Sequence, residues 1–252
     1  MKAIIVAAGM GTRLRPITQE LPKCLAVRFF GRSLLQINLE NLRAHAISDI
    51  VIIRGYRGDR FDDPSLRYVW NHDYANNNVL GSLMTAAEEI EGHVLVCYSD
   101  VWYGPDVLEK LLASNEEIAL GISSEVYDRA SGEAVFYGIG RNIRRTGVLG
   151  MPAAANAEGE FTGLMKLGPK GCVLLREHYE RCRALYDNKP FQYAKNLRKA
   201  YLTDLLQEMI DRGISIQGVE VGPHWGEIDN EQDFQKVKAR YKETMENRGI
   251  HV

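Results

Sequence analysis

Long hydrophobic runs are missing from this chain: no apolar stretch reaches the ~20 residues that cross a bilayer, so no membrane partner is expected. A surplus of positive charge is missing too. Thirty-one Lys and Arg stand against 33 Asp and Glu, the formal net charge is −2, and no long basic block occurs, which removes the electrostatic case for nucleic acid. Cysteine is scarce. Cys24, Cys97, Cys172 and Cys182 lie far apart with no C-x-x-C pair, so reduced thiols in a cytoplasmic protein fit better than a disulfide frame or a zinc site. No basic region precedes the N-terminal apolar run, so a secretory signal is not expected. Two familiar phosphate-binding patterns are absent as well: there is no G-x-x-x-x-G-K-[ST], and the dinucleotide fingerprint lacks its third glycine. Internal repeats and linker-like Gly/Ser/Pro runs are also lacking. One continuous domain over 1–252 is therefore expected, and 45% apolar residues suffice for a sizeable core.

What the chain does have is concentrated in Met1–Lys23, MKAIIVAAGMGTRLRPITQELPK. Ala3–Ala8 is an apolar run with the branched residues of a buried strand. Gly9 and Gly11 break it, and a strand running into a glycine-rich turn presents backbone N–H groups to phosphates. Side chains at these glycines would block a close approach, and positive φ is easy for glycine alone. Arg13 and Arg15 add planar guanidinium forks beside the turn, and Lys23 adds a further cation after Pro22.

Downstream, the apolar spacing over 34–46 predicts a helix with Ser33 as its N-cap, followed by a buried strand over 49–55. Strand, helix, strand of this length is a βαβ unit, so the first two strands should be parallel. A short strand over 66–71 then meets Asn71-His72-Asp73-Tyr74-Ala75-Asn76-Asn77-Asn78, a run that favours turns, ahead of a helix over 80–91. The strand from His93 ends in Asp100, a carboxylate at the strand end where open α/β sheets bind ligands; capping of the next helix is the alternative. A helix over 105–113 and a strand over 117–124 complete the alternation. Short strands over 134–140 and 143–150 predict an antiparallel hairpin or insertion around Arg141 and Asn142. The stretch 151–156 reads as a loop. A strand over 161–167, helices over 169–187 and 198–212, a strand over 214–221 and a helix over 230–247 follow. Ahead of that last helix lies Trp225-Gly226-Glu227-Ile228-Asp229, where Glu227 and Asp229 would face the same side of an extended segment, or Asp229 would act as an N-cap.

The full string A-A-G-M-G-T-R-L-R-P-I-T-x-x-x-P-K resembles the signature of nucleotidyltransferases that join a nucleoside triphosphate to a phosphorylated small molecule and release pyrophosphate. The likeness covers nearly the whole chain and is strongest over 1–56, 70–103 and 224–234; the proline usual after G-K/R is Ser33 here. Tyr74–Asn78 with Gly81-Ser82-Leu83 is similar to bacterial choline-phosphate cytidylyltransferases. Tyr98–Tyr103 is closer to the enzymes that activate phosphonates or phosphoglutamine. The resemblance implies an α/β fold: a Rossmann-like (GT-A-like) three-layer sandwich with a mixed, mostly parallel sheet and a small antiparallel insertion. The nucleotide part would occupy about 1–125, and the acceptor and second metal part about 126–252.

It further implies CTP as donor and a small phosphorylated or phosphonate acceptor. The turn of Ala7, Ala8, Gly9, Met10, Gly11 and Thr12 would cradle the triphosphate. Arg13 would meet the β- and γ-phosphates, and Lys23 the α-phosphate and the incoming phosphoryl group. Asn76, Asn77, Asn78 and Ser82 would read the base with donors and acceptors that suit a pyrimidine edge. W-x-E-I-D is the family's second metal element, so Asp100, Glu227 and Asp229 would hold Mg²⁺, a hard cation that prefers oxygen ligands. No Ser/His/Asp constellation is evident, and His224 reads as structural or as part of the substrate edge. The acceptor stays open. Trp102, Tyr103, Tyr127 and Tyr137 would cage a quaternary ammonium, or serve the core; Arg129, Lys195 and Arg198 would instead bind a carboxylate. The same chemistry on a hexose 1-phosphate and a non-catalytic nucleotide-sensing domain are the rival readings.

Overall fold

The computed structural model describes residues 1–125, 132–148 and 156–250. The opening apolar run is β1 (Lys2–Ala7), and its side chains alternate between two buried layers: Ile4 and Val6 face one, Ala3, Ile5 and Ala7 the other. A strand covered on both faces needs no polar alternation, which is why the run is continuously apolar. Full burial of each branched side chain stabilises the fold by roughly 1.5–3 kcal/mol.

After the glycines come a 3-10 turn at Thr12–Leu14, helix α1 (Lys23–Ala26), and the hairpin of β2 (Arg28–Phe29) and β3 (Arg32–Ser33). Helix α2 (Leu34–Ala44) starts at the expected cap: the Ser33 hydroxyl accepts from the Gln36 N–H while the Gln36 side chain accepts from the Ser33 N–H. β4 (Asp49–Arg54) runs parallel to β1, and β5 (Arg67–Trp70) parallel to β4. Helix α3 (Val79–Met84) precedes β6 (Val94–Tyr98), which is parallel to β1 on its other side. The helix expected over 80–91 stops early, because the Thr85 hydroxyl donates to the Ser82 carbonyl and the chain turns into a 3-10 segment at Ala87–Glu89.

β7 (Val101–Tyr103), α4 (Pro105–Leu112) and β8 (Ile118–Ser123) follow. β9 (Glu133–Tyr137) and β10 (Ile143–Val148) form the antiparallel hairpin around Arg141 and Asn142, and β11 (Gly159–Leu167) returns antiparallel against β6, β8 and β9. Helix α5 spans Pro169–Tyr186 and α6 Leu202–Asp211. The helix expected from 198 begins only at Leu202, since Ala200 and Tyr201 are extended (ψ 145° and 164°). β12 (Gln217–Glu220) joins β8 in parallel, β13 (Trp225–Glu227) pairs antiparallel with β7, and α7 (Glu231–Asn247) closes the described chain.

The main sheet runs β10-β9-β11-β6-β1-β4-β5, with β8 on β11 and β12 beyond it, so its centre is parallel and one wing antiparallel. Helices α2 and α4 pack on one face, α3, α5 and α6 on the other, giving three layers. A third apolar cluster under α7 gathers Leu14, Phe29, Trp102, Ile228 and Tyr241. None of the described helices is long and apolar enough to cross a membrane.

Candidate active site

Three chain crossings meet at the carboxyl ends of the central strands. β1 delivers the glycine turn, β6 leads through Ser99 into Asp100, and β13 delivers Glu227 and Asp229. The last two crossings are laced together, since Glu227 pairs with Val101 across β13 and β7 and the Ile228 N–H donates to the Asp100 carbonyl at 3.0 Å. One oxygen each of Asp100, Glu227 and Asp229 lies within 4.8 Å of the other two. Neither aspartate caps a helix: α4 begins at Gly104 without a side-chain cap, and α7 is capped by Asn230 in a box with Asp233. Both carboxylates point instead at Lys23, whose ammonium donates to Asp100 at 2.9 Å and to Asp229 at 3.0 Å. Arg13 pairs with Asp229 at 2.7 Å while its own side chain stays 65% exposed.

Like charges at about 4 Å repel by roughly 4 kcal/mol at an effective dielectric near 20, so this cluster needs positive charge among it. Lys23 supplies it. Burial alone would pull its ammonium down, but Asp100 and then Asp229 more than offset that, and the net shift is upward. Glu227 shows the other side of the balance: burial, then Asp100 and Asp229, push its carboxyl well above the usual range, against which Lys23 acts. A set of three convergent carboxylates with an ammonium seated between two of them fits a hard divalent cation.

The turn works through two different glycines. Gly11 needs its positive φ of 57°, and a Cβ there would press on Thr18 and Lys23 at 3.3 and 3.4 Å. Gly9 has ordinary φ, and a Cβ there would meet no protein atom within 4 Å; the space it leaves belongs to the cavity. The buried Thr18 hydroxyl donates to the Gly11 carbonyl at 2.7 Å and holds the turn from behind.

The cavity has a volume of about 490 Å³, within the range of small-ligand sites. Of the expected residues it gathers Ala7, Gly9, Gly11, Thr12, Arg13, Lys23, Asn77, Asn78, Ser82, Asp100, Glu227 and Asp229. Ala8 is buried behind the turn, Met10 is exposed beside it, and Asn76 bonds to Asp73 on the surface; none of the three lines the cavity. The organising residue of the asparagine run is one the sequence does not distinguish. Asn71 is wholly buried, and its amide nitrogen donates to Asn77 Oδ1 at 3.0 Å and to Ser82 Oγ at 2.9 Å. Its Oδ1 accepts from Asn77 Nδ2 at 3.2 Å and from the Asp73 N–H at 3.0 Å, so it fixes which way Asn77 presents its amide.

The acceptor residues require correction. Trp102 and Tyr103 are 0% and 1% exposed: Trp102 stands edge-on to Tyr241 under α7, and Tyr103 packs beside Cys97 on the sheet. Both faces of β7 are covered, so neither ring reaches a ligand. Tyr137 is stacked by Arg141 away from the cavity. Lys195 is exposed and does not line the cavity, and Arg198 faces Asp73 and Asp187 at 3.5 and 3.9 Å. Arg129 and Tyr127 lie outside the described residues, as do positions 151–155 of the expected loop. His224 bonds to Asp106 of α4 at 3.0 Å rather than to the site, which is a structural role.

In their place the cavity shows Tyr98, Ser99, Glu133, Val148 and Tyr201, which sequence reading missed. Glu133 carries a signature of strain: burial pushes its carboxyl up to about 7, opposed by the hydroxyls of Thr203 and Tyr98 and reinforced by Asp204. Glu133 in turn adds, as the smallest contribution, to the charges that raise Glu227. The folded protein holds the Glu133 proton more tightly than the unfolded chain, so the penalty is absent below about 4.5, grows with rising pH and is complete above about 7. Glu133→Gln should therefore raise the melting temperature by at least about 2 °C at pH 8 and leave it nearly unchanged at pH 4.5. Equal melting curves at pH 8 would contradict the buried charge.

Comparison with known proteins gives a consistent picture. The sequence matches the family described as the MobA-like NTP transferase domain over residues 3–190. The CTP:phosphoglutamine cytidylyltransferase of Campylobacter jejuni is 26% identical over 255 residues, covering 93% of this chain and 98% of its own. The choline-phosphate cytidylyltransferase of Streptococcus pneumoniae is 41% identical over 100 residues, 38% of this chain and 43% of that one. The solved structure of the CTP:phosphocholine cytidylyltransferase from Streptococcus pneumoniae aligns with a TM-score of 0.75 at 23% identity, over 96% of this chain and 99% of that one. At that identity the likeness speaks for the fold.

Proposed function

Because the chain belongs to the family of MobA-like NTP transferase domains, we propose that it transfers CMP from CTP to a small phosphate or phosphonate monoester and releases pyrophosphate. The observation that carries this reading is the convergence in one cavity of the glycine turn, Arg13, Lys23 and the three carboxylates. An acceptor oxygen attacks the α-phosphorus; a new P–O bond forms as the bridging bond to the β-phosphate breaks, and the electron pair leaves on pyrophosphate. Two anions must be brought together for this, so positioning and charge neutralisation are the main tasks.

Turn amides of residues 9–12 cradle the triphosphate, with the Gly11 conformation opening the space. Arg13 reaches from the exposed rim to the outer phosphates, where a mobile fork suits a departing anion. Lys23, held on the first turn of α1, leaves its carboxylate partners to sit between the α-phosphate and the incoming phosphoryl oxygen. Asp100, Glu227 and Asp229 would hold Mg²⁺, which when bound polarises the α-phosphate and neutralises charge on the leaving group. Asn77, oriented by Asn71, together with Asn78 and Ser82 reads the base.

A matrix of the four nucleoside triphosphates against phosphorylated acceptors, scored by pyrophosphate release, tests the proposal. Cytosine presents an N4 donor beside an N3 acceptor, and uracil reverses the two. Fixed partners left unpaired cost about 1–3 kcal/mol each, so CTP should exceed UTP in kcat/KM by at least roughly tenfold. Preference for UTP or dTTP with a hexose 1-phosphate would sink the choice of base and acceptor while leaving the phosphate and carboxylate assignments intact.

A further inference from the structure

We infer that Asn71 sets the choice between pyrimidines without touching the base: it is a positioning residue whose amide dictates the order of donor and acceptor that Asn77 and Ser82 present. The inference rests on the nucleotidyl-transfer reading and adds to it what fixes base selection.

Asn71 follows β5 directly and its side chain is wholly buried. The orientation of its amide comes from a group that has no alternative. A backbone N–H can only donate, so the Asp73 N–H, 3.0 Å away, requires the oxygen of the Asn71 amide on its side. Nδ2 then faces Asn77 Oδ1 at 3.0 Å and Ser82 Oγ at 2.9 Å, which uses both of its protons. Asn77 Nδ2 returns one bond to Asn71 Oδ1 at 3.2 Å, and the Ser82 hydroxyl donates to Asn77 Oδ1 at 3.2 Å. Every bonding position of the Asn71 amide is filled. Turning the Asn77 amide over would set nitrogen against nitrogen and oxygen against oxygen, leaving buried polar groups unpaired. Gly81 gives Asn77 its seat, since a Cβ there would lie 2.8 Å from the Asn77 Cβ.

The valences left over are the ones a ligand in the cavity can use. Asn77 keeps one N–H and Ser82 one lone pair. Asn78 spends its Oδ1 on the Val79 N–H and one proton on the Lys199 carbonyl, and keeps a second N–H. Two donors and one acceptor complement a pyrimidine edge. Cytosine and uracil need this same set in different order, because the N4 donor and N3 acceptor of one become acceptor and donor in the other. Order therefore carries the discrimination. With Asn77 turned over, its free position becomes an acceptor, and the Ser82 hydroxyl, relieved of its bond, becomes a donor. That is the same exchange that separates uracil from cytosine, and the two donors of Asn71 prevent it.

Calorimetric titration of CTP and of UTP, each with Mg²⁺, into the wild type and two variants tests the assignment and needs no acceptor. Wild-type protein should bind CTP at least roughly tenfold tighter than UTP, the scale of a mismatched buried hydrogen bond. Asn71→Asp keeps the shape of the side chain but faces Asn77 Oδ1 with an acceptor in place of a donor, so the CTP preference should fall to one or below. Asn71→Ser adds no buried charge and is too short to hold Asn77, and it should bring the preference near one. A purely structural hub closing the end of β5 would weaken both nucleotides together; an unmoved preference in either variant that binds CTP would overturn the inference. So would a wild-type preference at or below one, a result that needs no variant to fold. Binding of neither nucleotide to the wild type would sink the nucleotidyl-transfer reading and the inference with it, whereas an unmoved preference sinks the inference alone.

Discussion

Asp229→Ala should lower kcat by at least roughly a thousandfold while circular dichroism stays that of the wild type, a loss of the size seen when a group stabilising transition-state charge is removed. The expectation is larger than for either neighbour because Asp229 anchors two cations at once, Arg13 at 2.7 Å and Lys23 at 3.0 Å, besides contributing to the carboxylate cluster. Removing it frees both cations and takes one ligand from the convergent set. Asp100→Ala, which releases only Lys23, should be severe but milder. Chelation with EDTA should stop the wild-type reaction and added Mg²⁺ restore it. Near-normal kcat in Asp229→Ala would remove the residue from the mechanism, and an Asp100→Ala protein less active than Asp229→Ala would reverse the anchoring role assigned to Asp229.

Lys23→Ala should depress kcat by at least roughly a hundredfold with a much smaller rise in the KM for CTP. In the structure Lys23 balances carboxylates, with its side chain 11% exposed; in the proposed reaction it would neutralise two approaching anions, a charge pattern that exists fully only in the transition state. A group that acts there lowers kcat more than it weakens ground-state binding. Steady-state kinetics over a CTP series at saturating acceptor reads the split. A change confined to KM would reduce Lys23 to a binding residue.

Much of the fold and of the cavity's lining was readable from residue order because the pattern is local at each contributing point. β1 and its turn are one uninterrupted segment, and Asp100, Glu227 and Asp229 each follow or end a short strand whose pattern is visible. What could not be read is what the fold assembles from afar. Glu133 and Tyr201 reach the cavity because β9 pairs with the start of β11 and because the chain stays extended at Ala200 and Tyr201 before α6. Neither has a local signal. Trp102 and Tyr103 failed as acceptor residues for a different reason: aromatic identity is shared by cores and cages, and only the pairing of β7 with β13 under α7 shows both faces to be covered. Asn71 looks like any other member of its polar run, and it takes the wholly buried position because its N–H continues the bonding of the strand edge, donating to the Arg54 carbonyl at 2.8 Å.

The four cysteines give the protein a built-in gauge of its own opening. All are buried, and burial raises the thiols of Cys24 and Cys97 to about 12, so the nucleophilic thiolate is suppressed as well as hidden. Alkylating reagents therefore see the native molecule only through its excursions. Because Cys24 follows Lys23 directly on α1, the rate at which it is capped is a clock for the loosening of the segment that carries the lysine. Cys97, in the middle of the parallel sheet, keeps time for the breathing of the core.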